Sequence, residues 1–297
     1  MNFSKFRLDA PAKVNLKDFD ASETLKMSEE DVQRQMPDLE KRLQQLQELL
    51  YASAKHSVLI ALQGLDTAGK DGVIKHVMSS VNPAGCVVTG FKAPTQEESA
   101  HDFLWRIHKH TPAKGMIAIF NRSHYEDVLA ARVHHLVPAE VWKERFEQIN
   151  EFEQLLASQP VIIVKFYLNV SKSVQAQRLM DRENDANKSW KLSLTDWKER
   201  EYWKEYRKAY EDVLSKCSHK NAPWYVIPSD KKWFRNYVTA AILVEILEQY
   251  EKNWKEGLEE RGKIALEAIR KERQAGTLNG DKHEHTEPQL PENQTDH

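Results

Sequence analysis

The stretch GLDTAGKD, residues 64–71, has the residue types of a loop that holds phosphate groups. It matches the pattern G-x-x-x-x-G-K-[ST] except at its last position, Asp71. An apolar run precedes it and a helical pattern follows, so backbone N–H groups at the helix start would converge on one concavity. We expect Lys70 to reach the transferred phosphate. The alternative is a strand–turn–helix connection that contains glycines by chance. The predicted phosphate-binding residues here are Gly64, Ala68, Gly69, Asp71 and Gly72.

Two carboxylates, Asp66 and Asp71, lie within the predicted loop, where they would repel bare phosphates. Mg²⁺ between the groups turns that repulsion into attraction, because hard cations bind carboxylate and phosphate oxygens together. The sequence therefore predicts that both acids hold Mg²⁺, partly through water. For Asp71 an alternative remains open, since acids are favoured in the first turn of any helix.

The predicted third strand runs into FNRSHYEDVLAARVHH, which places more polar residues at a strand end. Asn121 stands where an acid binds Mg²⁺ through water in many P-loop kinases, and it is predicted to contact phosphate or nucleotide. We expect Glu126 and Asp127 to take over part of the metal binding. Arg122 lies at the carboxyl end of the strand, where open α/β sheets bind ligands. Arg132 either faces the same cleft or lies on the solvated surface.

Two further arginines, Arg178 and Arg182, follow the predicted fourth strand at a spacing that puts them on one helix face. A polar segment with little periodicity comes next and predicts a flap. We expect the arginines to clamp a transferring phosphoryl group as the flap closes. The alternative is an exposed face whose arginines pair with nearby acids. Lys75, about one helical turn beyond Lys70, would extend the basic path.

Composition restricts the classes of protein to which these residues can belong. The chain has 297 residues, of which 30% are charged, and a net charge of −2. Any anion site must then be a local basic cluster, and neither a nucleic-acid partner nor a membrane partner is expected. Cys86 and Cys217 stand alone in the sequence, which favours a reducing cytoplasm. The sequence predicts no secretory signal and no membrane-spanning segment.

Short apolar runs alternate with helical patterns along most of the chain. Several runs are apolar at nearly every position, as in buried parallel strands. The predicted strands are 57–63, 85–91, 115–121, 160–168 and 223–229. The predicted helices are one that carries Leu39, Leu43, Leu46 and Leu50, and then 71–81, 97–110, 125–157, 171–184, 195–217 and 231–253. The alternation predicts an α/β fold of three layers, α/β/α, around a five-stranded, mostly parallel sheet.

The two ends of the chain depart from this pattern. Residues 1–28 have no steady period and are predicted to be an arm that lies on the main domain, 29–255. Residues 256–297 are predicted to be a helical extension and a tail, disordered from Gly276 because that stretch is almost wholly polar. A helical stripe that we expect to face the core consists of Trp203, Tyr206, Tyr210 and Val213.

Five motifs in the same order resemble those of the family-2 polyphosphate kinases, over roughly residues 5–255. They are GLDTAGKDG, HVMSSVNPAG, FKAPTQEESAHDFLWRIH, FNRSHYEDVL and APWYVIPSDKKWFRN. The resemblance implies a P-loop kinase fold related to thymidylate kinases, with a helical lid over about 181–195. It implies Mg²⁺-dependent transfer between inorganic polyphosphate and nucleotides, and phosphate contacts from Arg122, Arg178 and Arg182. Members of the family usually form dimers or tetramers, so a homo-oligomer is expected.

The segment NRSHYED is similar to that of the class III members, which phosphorylate nucleoside monophosphates and diphosphates. We therefore expect reversible transfer from polyphosphate to AMP and ADP. The predicted catalytic residues are Asp66, Lys70, Arg122 and Arg178. A nucleotide phosphate is already an anion, so the main task is to bring negative groups together rather than to remove a proton. Two alternatives stay open: an ATP-dependent nucleotide or nucleoside kinase, and a nucleotide-binding switch that does little chemistry.

Overall fold

A computed structural model describes residues 3–9, 11–185 and 193–275 of the chain. The chain divides into two units, with the boundary after Lys255. The described part of the second unit is helical as far as Gln274. Residues 186–192 of the predicted lid and the predicted tail from Gly276 lie outside the described residues. The predicted domain boundaries stay a proposal.

A six-stranded sheet forms the centre of the first unit. Its strands are β1 (Arg7–Leu8), β2 (Ser57–Gln63), β3 (Cys86–Gly90), β4 (Ile117–Asn121), β5 (Val161–Asn169) and β6 (Trp224–Pro228). They lie in the order β1-β6-β5-β2-β4-β3, and all neighbours are parallel except β1, which pairs antiparallel with β6. The expectation of five strands was wrong by one. The additional strand comes from the segment predicted to be an arm, because two residues are too short to show a period.

The described residues also form ten α-helices. They are α1 (Glu29–Ser53), α2 (Lys70–Val77), α3 (Gln96–Ser99), α4 (Trp105–His108), α5 (Ala130–Val133), α6 (Ala139–Ser158), α7 (Lys172–Glu183), α8 (Leu194–Glu199), α9 (Trp203–Lys216) and α10 (Lys232–Gln274). The continuous helix predicted over 125–157 is interrupted. His135 has a left-handed backbone with φ of 52°, and Pro138 then precedes α6 as its N-cap, where a missing N–H costs the helix nothing.

The alternation of side chains along the strands separates two packed faces. Along β2, Val58, Ile60 and Leu62 join one apolar cluster, which also contains side chains of α1, α2 and α10. Leu59, between them, joins a cluster on the opposite face with Phe152 of α6. Every residue of β2 is buried. The predicted α/β/α arrangement with a mostly parallel sheet is therefore confirmed, and no described helix combines the length and apolar character of a membrane span.

The parallel strands end together at one edge of the sheet. Leu62 of β2 lies in register with Asn121 of β4 and with Phe166 of β5. The loop that leaves β2, the turn that leaves β4 and the start of α7 therefore meet at this edge, which is where open parallel sheets place their ligands. Most of the charged residues singled out in the sequence lie on these connections.

Candidate active site

The loop between β2 and α2 takes a conformation that depends on its glycines. Gly69 is the N-cap of α2 and has φ of 111°, a left-handed backbone that side chains rarely adopt. A Cβ atom at Gly69 would also come within 1.7 Å of a guanidinium nitrogen of Arg235. The loop thus turns tightly into the amino end of α2, where free N–H groups favour anions.

The side chain of Lys70 lies inside this loop. Its Nζ donates to the carbonyl oxygen of Gly64 at 2.6 Å and to that of Leu65 at 3.4 Å. Burial lowers the pKa of Lys70 to about 8, and Arg122 adds to that effect, while Asp66 and Glu126 oppose it. A buried lysine held by two carbonyl groups is a poorly solvated cation, and phosphate oxygens would be strong partners for it.

Arg122 joins the loop to the end of β4. Its guanidinium forms an ion pair with Asp66 at 2.6 Å and approaches Glu126 at 3.7 Å. Burial acts to lower the pKa of Arg122, but Glu126 and Asp66 outweigh it, so the pKa lies above its ordinary value. Burial raises the pKa of Glu126, against the opposing charges of Arg122 and Lys70. Three of the predicted charges at this edge are therefore in direct contact.

Asn121 and Asp71 form a second link between the strand end and the loop helix. The Asn121 side-chain amide donates to the Asp71 carboxylate at 2.9 Å. This bond orients the carboxylate at the wall of the basic side of the cleft.

Arg178 and Arg235 lie beneath the loop and hold its backbone. Arg178 donates to the carbonyl oxygens of Thr67 at 2.9 Å and Ser229 at 2.6 Å. Arg235 donates to the carbonyl oxygen of Ala68 at 3.2 Å. Burial lowers the pKa of both arginines, that of Arg235 to about 10, where the nearby charge of Arg178 contributes. The contacts of Arg178 in this structure are thus with backbone carbonyl groups of the loop and of the segment that follows β6.

Two adjoining cavities meet at the Asp66–Arg122 pair. One, of about 580 Å³, is called the basic cavity here, and its charged lining includes Lys70, Lys92, Arg122, Arg178, Arg182, Lys232 and Arg235. The other, of about 680 Å³, is called the mixed cavity, and its lining includes Phe103, Arg106, Glu126, Asp127, His134, Arg145, Trp203, Tyr206 and Tyr210. Asp66, Phe91, Lys92 and Arg122 line both. An anionic chain and an aromatic, partly charged ligand would therefore come together beside Lys70.

The sequence that builds this site matches a known protein family. The family described as Polyphosphate kinase 2 (PPK2) matches residues 26–255, well over half of the chain. The chain belongs to this family. It is therefore an enzyme, and the family resemblance of the sequence motifs is confirmed.

Individual relatives match most of this chain. An AMP/ADP-polyphosphate phosphotransferase of Meiothermus ruber is 45% identical over 246 residues, which are 82% of this chain and 92% of the relative. An ADP-polyphosphate phosphotransferase of Rhodopseudomonas palustris is 42% identical over 76% of this chain and 82% of its own length. The crystal structure of polyphosphate kinase 2 from Arthrobacter aurescens TC1 matches with a TM-score of 0.80 and 39% identity, over 84% of this chain and 91% of that one.

A divalent cation fits the acids of this site without a complete protein cage. Within residues 3–9, 11–185 and 193–275, no group of three or more His, Cys, Asp or Glu side chains could hold a metal ion. Asp66 and Asp71 nevertheless line the basic cavity together. Mg²⁺ commonly takes one or two carboxylates and fills its remaining positions with water and phosphate oxygens. The donor set here has that composition.

Several predicted site residues have other partners. Asp127 faces the mixed cavity but approaches Arg106 at 3.4 Å and Arg145 at 3.5 Å. Burial raises the pKa of Asp127, against the two arginines. Arg182 lines the basic cavity and forms an ion pair with Asp196 at 2.7 Å. Their predicted roles with metal and phosphate stay predictions.

The structure does not bring Arg132 and Lys75 to either cavity. Arg132 forms an ion pair with Asp212 at 2.6 Å and lies over the ring of Trp142, 4.6 Å from its centroid. Lys75 is exposed on α2 and does not line the basic cavity. Arg132 lies on α5, ten positions after Arg122, and its guanidinium faces Asp212 of α9 and Trp142 of α6. Neither Arg132 nor Lys75 belongs to the proposed site.

Sequence reasoning missed residues that come from distant parts of the chain. Arg235 and Lys232 line the basic cavity from the start of α10; the motif that ends in KKWFRN contains both, and this was their only signal. On α9, the stripe expected to face the core is divided. Val213 and Tyr210 are buried, although Tyr210 also borders the mixed cavity, whereas Trp203 and Tyr206 are half-buried and line that cavity.

Proposed function

We propose that this enzyme transfers a phosphoryl group from inorganic polyphosphate to nucleoside monophosphates and diphosphates, converting AMP to ADP and ADP to ATP, reversibly and with Mg²⁺. The observation that carries the proposal is the meeting of a basic cavity and a mixed cavity at Asp66 and Arg122, beside the buried Lys70. The relatives named above act on AMP, ADP and polyphosphate by name, which supports the same assignment.

The basic cavity has the lining that a polyphosphate chain requires. Polyphosphate carries charge at every phosphate along its length, so it needs cations distributed over an extended surface. Lys70, Arg182 and Lys232 come from three separate helices and line one volume of about 580 Å³. Lysine and arginine at such a surface bind phosphate oxygens through charge-assisted hydrogen bonds.

The mixed cavity has the lining that a nucleotide acceptor requires. Trp203 and Tyr206 offer aromatic surface for the base, and Arg106 and Arg145 lie on the same cavity. The acceptor phosphate would then approach Arg122, which faces both cavities. A nucleotide phosphate and the end of a polyphosphate chain would then lie on opposite sides of one arginine.

In the proposed transfer, an oxygen of the acceptor phosphate attacks the terminal phosphorus of polyphosphate. A new P–O bond forms, the P–O bond to the chain breaks, and the shortened chain leaves with the electron pair. Lys70 and Arg122 stabilise the charge on the transferred group, and Arg178 holds the loop backbone that positions Lys70. Asp66 and Asp71 would hold Mg²⁺, with Glu126 close by. When bound, the ion neutralises charge on adjoining phosphates.

Three further assignments accompany this proposal. The enzyme is expected to act in the cytoplasm, in keeping with two free cysteines, Cys86 and Cys217. A homodimer or homotetramer is expected from the family resemblance. Neither nucleic acid nor membrane is expected as a partner, because the net charge of −2 gives no general attraction to polyanions.

The test is a matrix of donors and acceptors. Polyphosphate or ATP as donor is combined with AMP, ADP or a nucleoside, with Mg²⁺ present or replaced by EDTA, and the products are separated by chromatography. Polyphosphate should convert AMP and ADP without ATP, and EDTA should abolish the reaction. Transfer from ATP alone would instead indicate an ATP-dependent kinase, and nucleotide binding without turnover would indicate a switch.

A further inference from the structure

A buried polar network lies directly behind the turn that follows β4. Lys165 of β5 points its ammonium group into the core and donates to Glu153 of α6 at 2.5 Å. The same Nζ donates to the carbonyl oxygen of Cys217 at 2.6 Å and to the hydroxyl of Tyr125 at 3.0 Å. The side chains of Lys165 and Glu153 are 0% and 1% exposed. Neither residue lines the mixed or basic cavity.

Glu153 connects this network to the turn through two consecutive residues. The hydroxyl of Tyr125 donates to its Oε1 at 2.6 Å, and Nε2 of His124 lies 3.1 Å from the same oxygen. Burial alone would raise the pKa of Glu153, but Lys165 and His124 lower it below its ordinary value. Burial, and then Glu153, raises the pKa of Tyr125 well above its usual range. At neutral pH the tyrosine is therefore a donor and the glutamate an ionised acceptor.

The turn held in this way has an unfavourable backbone and carries cleft residues. Arg122 has φ of 63°, in the left-handed region that a residue with a side chain seldom adopts. One 3₁₀ turn, His124–Asp127, follows it. On this turn His124 and Tyr125 are buried, while the next residue, Glu126, lines the mixed cavity. Such a conformation persists only where the surrounding structure imposes it.

Stability is a weak reason for burying these charges. An ion pair in a protein interior loses most of its Coulombic gain to desolvation, and apolar residues of similar volume often serve the fold equally well. What an apolar replacement cannot supply is a set of directional bonds to Tyr125 and His124. The backbone N–H of Arg122 is held from the other side by the carbonyl oxygen of Leu62 at 3.1 Å. The turn is thus fixed at both ends.

We infer that Lys165, Glu153 and Tyr125 are positioning residues for phosphoryl transfer, which hold the turn so that Arg122 and Glu126 face the cleft. The inference rests on the proposed function, because it concerns the placement of groups in that reaction. It predicts that loss of the bonds to the turn lowers kcat while the fold remains stable. A misplacement of about 1 Å can cost roughly a hundredfold in rate.

Two double variants with the same net charge distinguish the effect of the hydrogen bonds to the turn from the effect of the Lys165–Glu153 ion pair. Lys165→Met/Glu153→Leu removes both charges and every bond from position 153 to the turn. Lys165→Met/Glu153→Gln removes the same charges but keeps an amide oxygen that can accept from Tyr125. We expect kcat with polyphosphate and AMP to fall about tenfold or more in the first variant and less than about threefold in the second. KM for polyphosphate should stay within about twofold.

A thermodynamic cycle distinguishes positioning from a general structural role. In an Arg122→Ala/Glu126→Gln background, Lys165→Met/Glu153→Leu should cost little further activity, because both groups that it positions are already absent. A loss of the same factor in both backgrounds would overturn the inference. An equal loss in the Leu and Gln variants, or no loss in either, would overturn it as well.

Controls keep this test decisive. Arg42→Met/Glu251→Gln removes an ion pair of 2.6 Å between α1 and α10 and should leave kcat unchanged. If the Leu variant does not fold, Tyr125→Phe replaces it, because that change removes the two bonds of the hydroxyl and keeps the ring against Trp224. An unchanged kcat in folded Tyr125→Phe would then overturn the inference. Wild type without polyphosphate-dependent transfer would refute the proposed function instead.

Discussion

At the scale of single residues, Asp66 has two roles that compete. It forms an ion pair with Arg122 at 2.6 Å in this structure, yet the proposed reaction requires it to face a metal ion. Arg122 approaches Glu126 as well, at 3.7 Å. An arginine with two acidic neighbours can move between them, so metal binding at Asp66 need not leave a buried charge without a partner.

Replacement of Lys70 tests the phosphate loop. We expect Lys70→Ala to lower kcat by about a hundredfold or more, the usual cost of one lost contact to developing charge. The measurement is kcat with polyphosphate and ADP, together with the melting temperature. Lys41→Ala, an exposed lysine of α1, is the matched control and should turn over normally. A folded Lys70→Ala enzyme with wild-type turnover would show that the loop is not the phosphate site.

Replacement of Asp66 tests the metal assignment. Asp66→Asn should raise the Mg²⁺ concentration needed for half-maximal activity and lower the maximal rate, because a hard-cation ligand is lost. The measurement is an Mg²⁺ titration of activity. Asp181→Asn, which also removes a carboxylate from the basic cavity, controls for the change in charge. If the two variants shift the Mg²⁺ dependence equally, Asp66 acts through the net negative charge of the cavity and not as a metal ligand.

Replacement of Glu126 tests the acceptor range. An acid at this position could hold Mg²⁺ or water where a monophosphate leaves the cleft one phosphate short, and an amide would do so less well. We expect Glu126→Asn to lower kcat/KM for AMP about tenfold more than for ADP, which is about 1.4 kcal/mol of transition-state binding. The control is Asp127→Asn, because the Asp127 carboxylate already faces Arg106 and Arg145. This change should alter kcat/KM for AMP and for ADP by the same factor. Equal losses in Glu126→Asn would make Glu126 a general ligand.

At the scale of secondary structure, elements far apart in sequence form the site. The loop after β2 is held by Arg178 of α7 and Arg235 of α10, and the turn after β4 is held by side chains of α6 and β5. The loop and the turn thus depend on packing against helices and a strand that lie far from them in the sequence. The N-terminal segment is part of the same architecture, since β1 extends the sheet beside β6.

A substitution in the N-terminal segment tests this integration. Phe6 is 3% exposed and belongs to the apolar cluster shared with α10. Phe6→Ala should lower the free energy of unfolding by about 3 kcal/mol or more, because it removes a buried ring and leaves a cavity. Urea denaturation measures the change. Tyr51→Ala, at a ring that is 53% exposed, should cost less than about 1 kcal/mol. Equal effects would mean that the segment is a loosely attached arm.

At the scale of the whole molecule, the polar C-terminal stretch is predicted to be dispensable. Residues after Gly276 contain few apolar side chains, too few to offset the entropy of ordering a chain of that length. A protein that ends at Gly276 should match the full chain in kcat and melting temperature. Loss of soluble protein on truncation, or a change in oligomeric state, would show that the stretch has a structural partner.

Local patterns in the sequence determined much of this molecule. The five longer strands appear where apolar runs predicted them, because burial on both faces imposes apolar residues at consecutive positions. The loop from Gly64 to Lys70 was recognisable because left-handed turns and a close backbone approach require glycine at fixed spacing. These features depend on neighbours along the chain, which the sequence displays directly.

Only the tertiary structure decided which side chains meet. Gly69 and Arg235 are in contact although 166 positions separate them, and Asp127 faces two arginines that no spacing rule connects to it. On α9, one apolar stripe divides between core and cavity. The helical period predicts which side chains share a face of the helix, but not what packs against that face. Contacts of this kind depend on how elements pack, and packing depends on shapes and charges that are brought together only when the whole chain has folded.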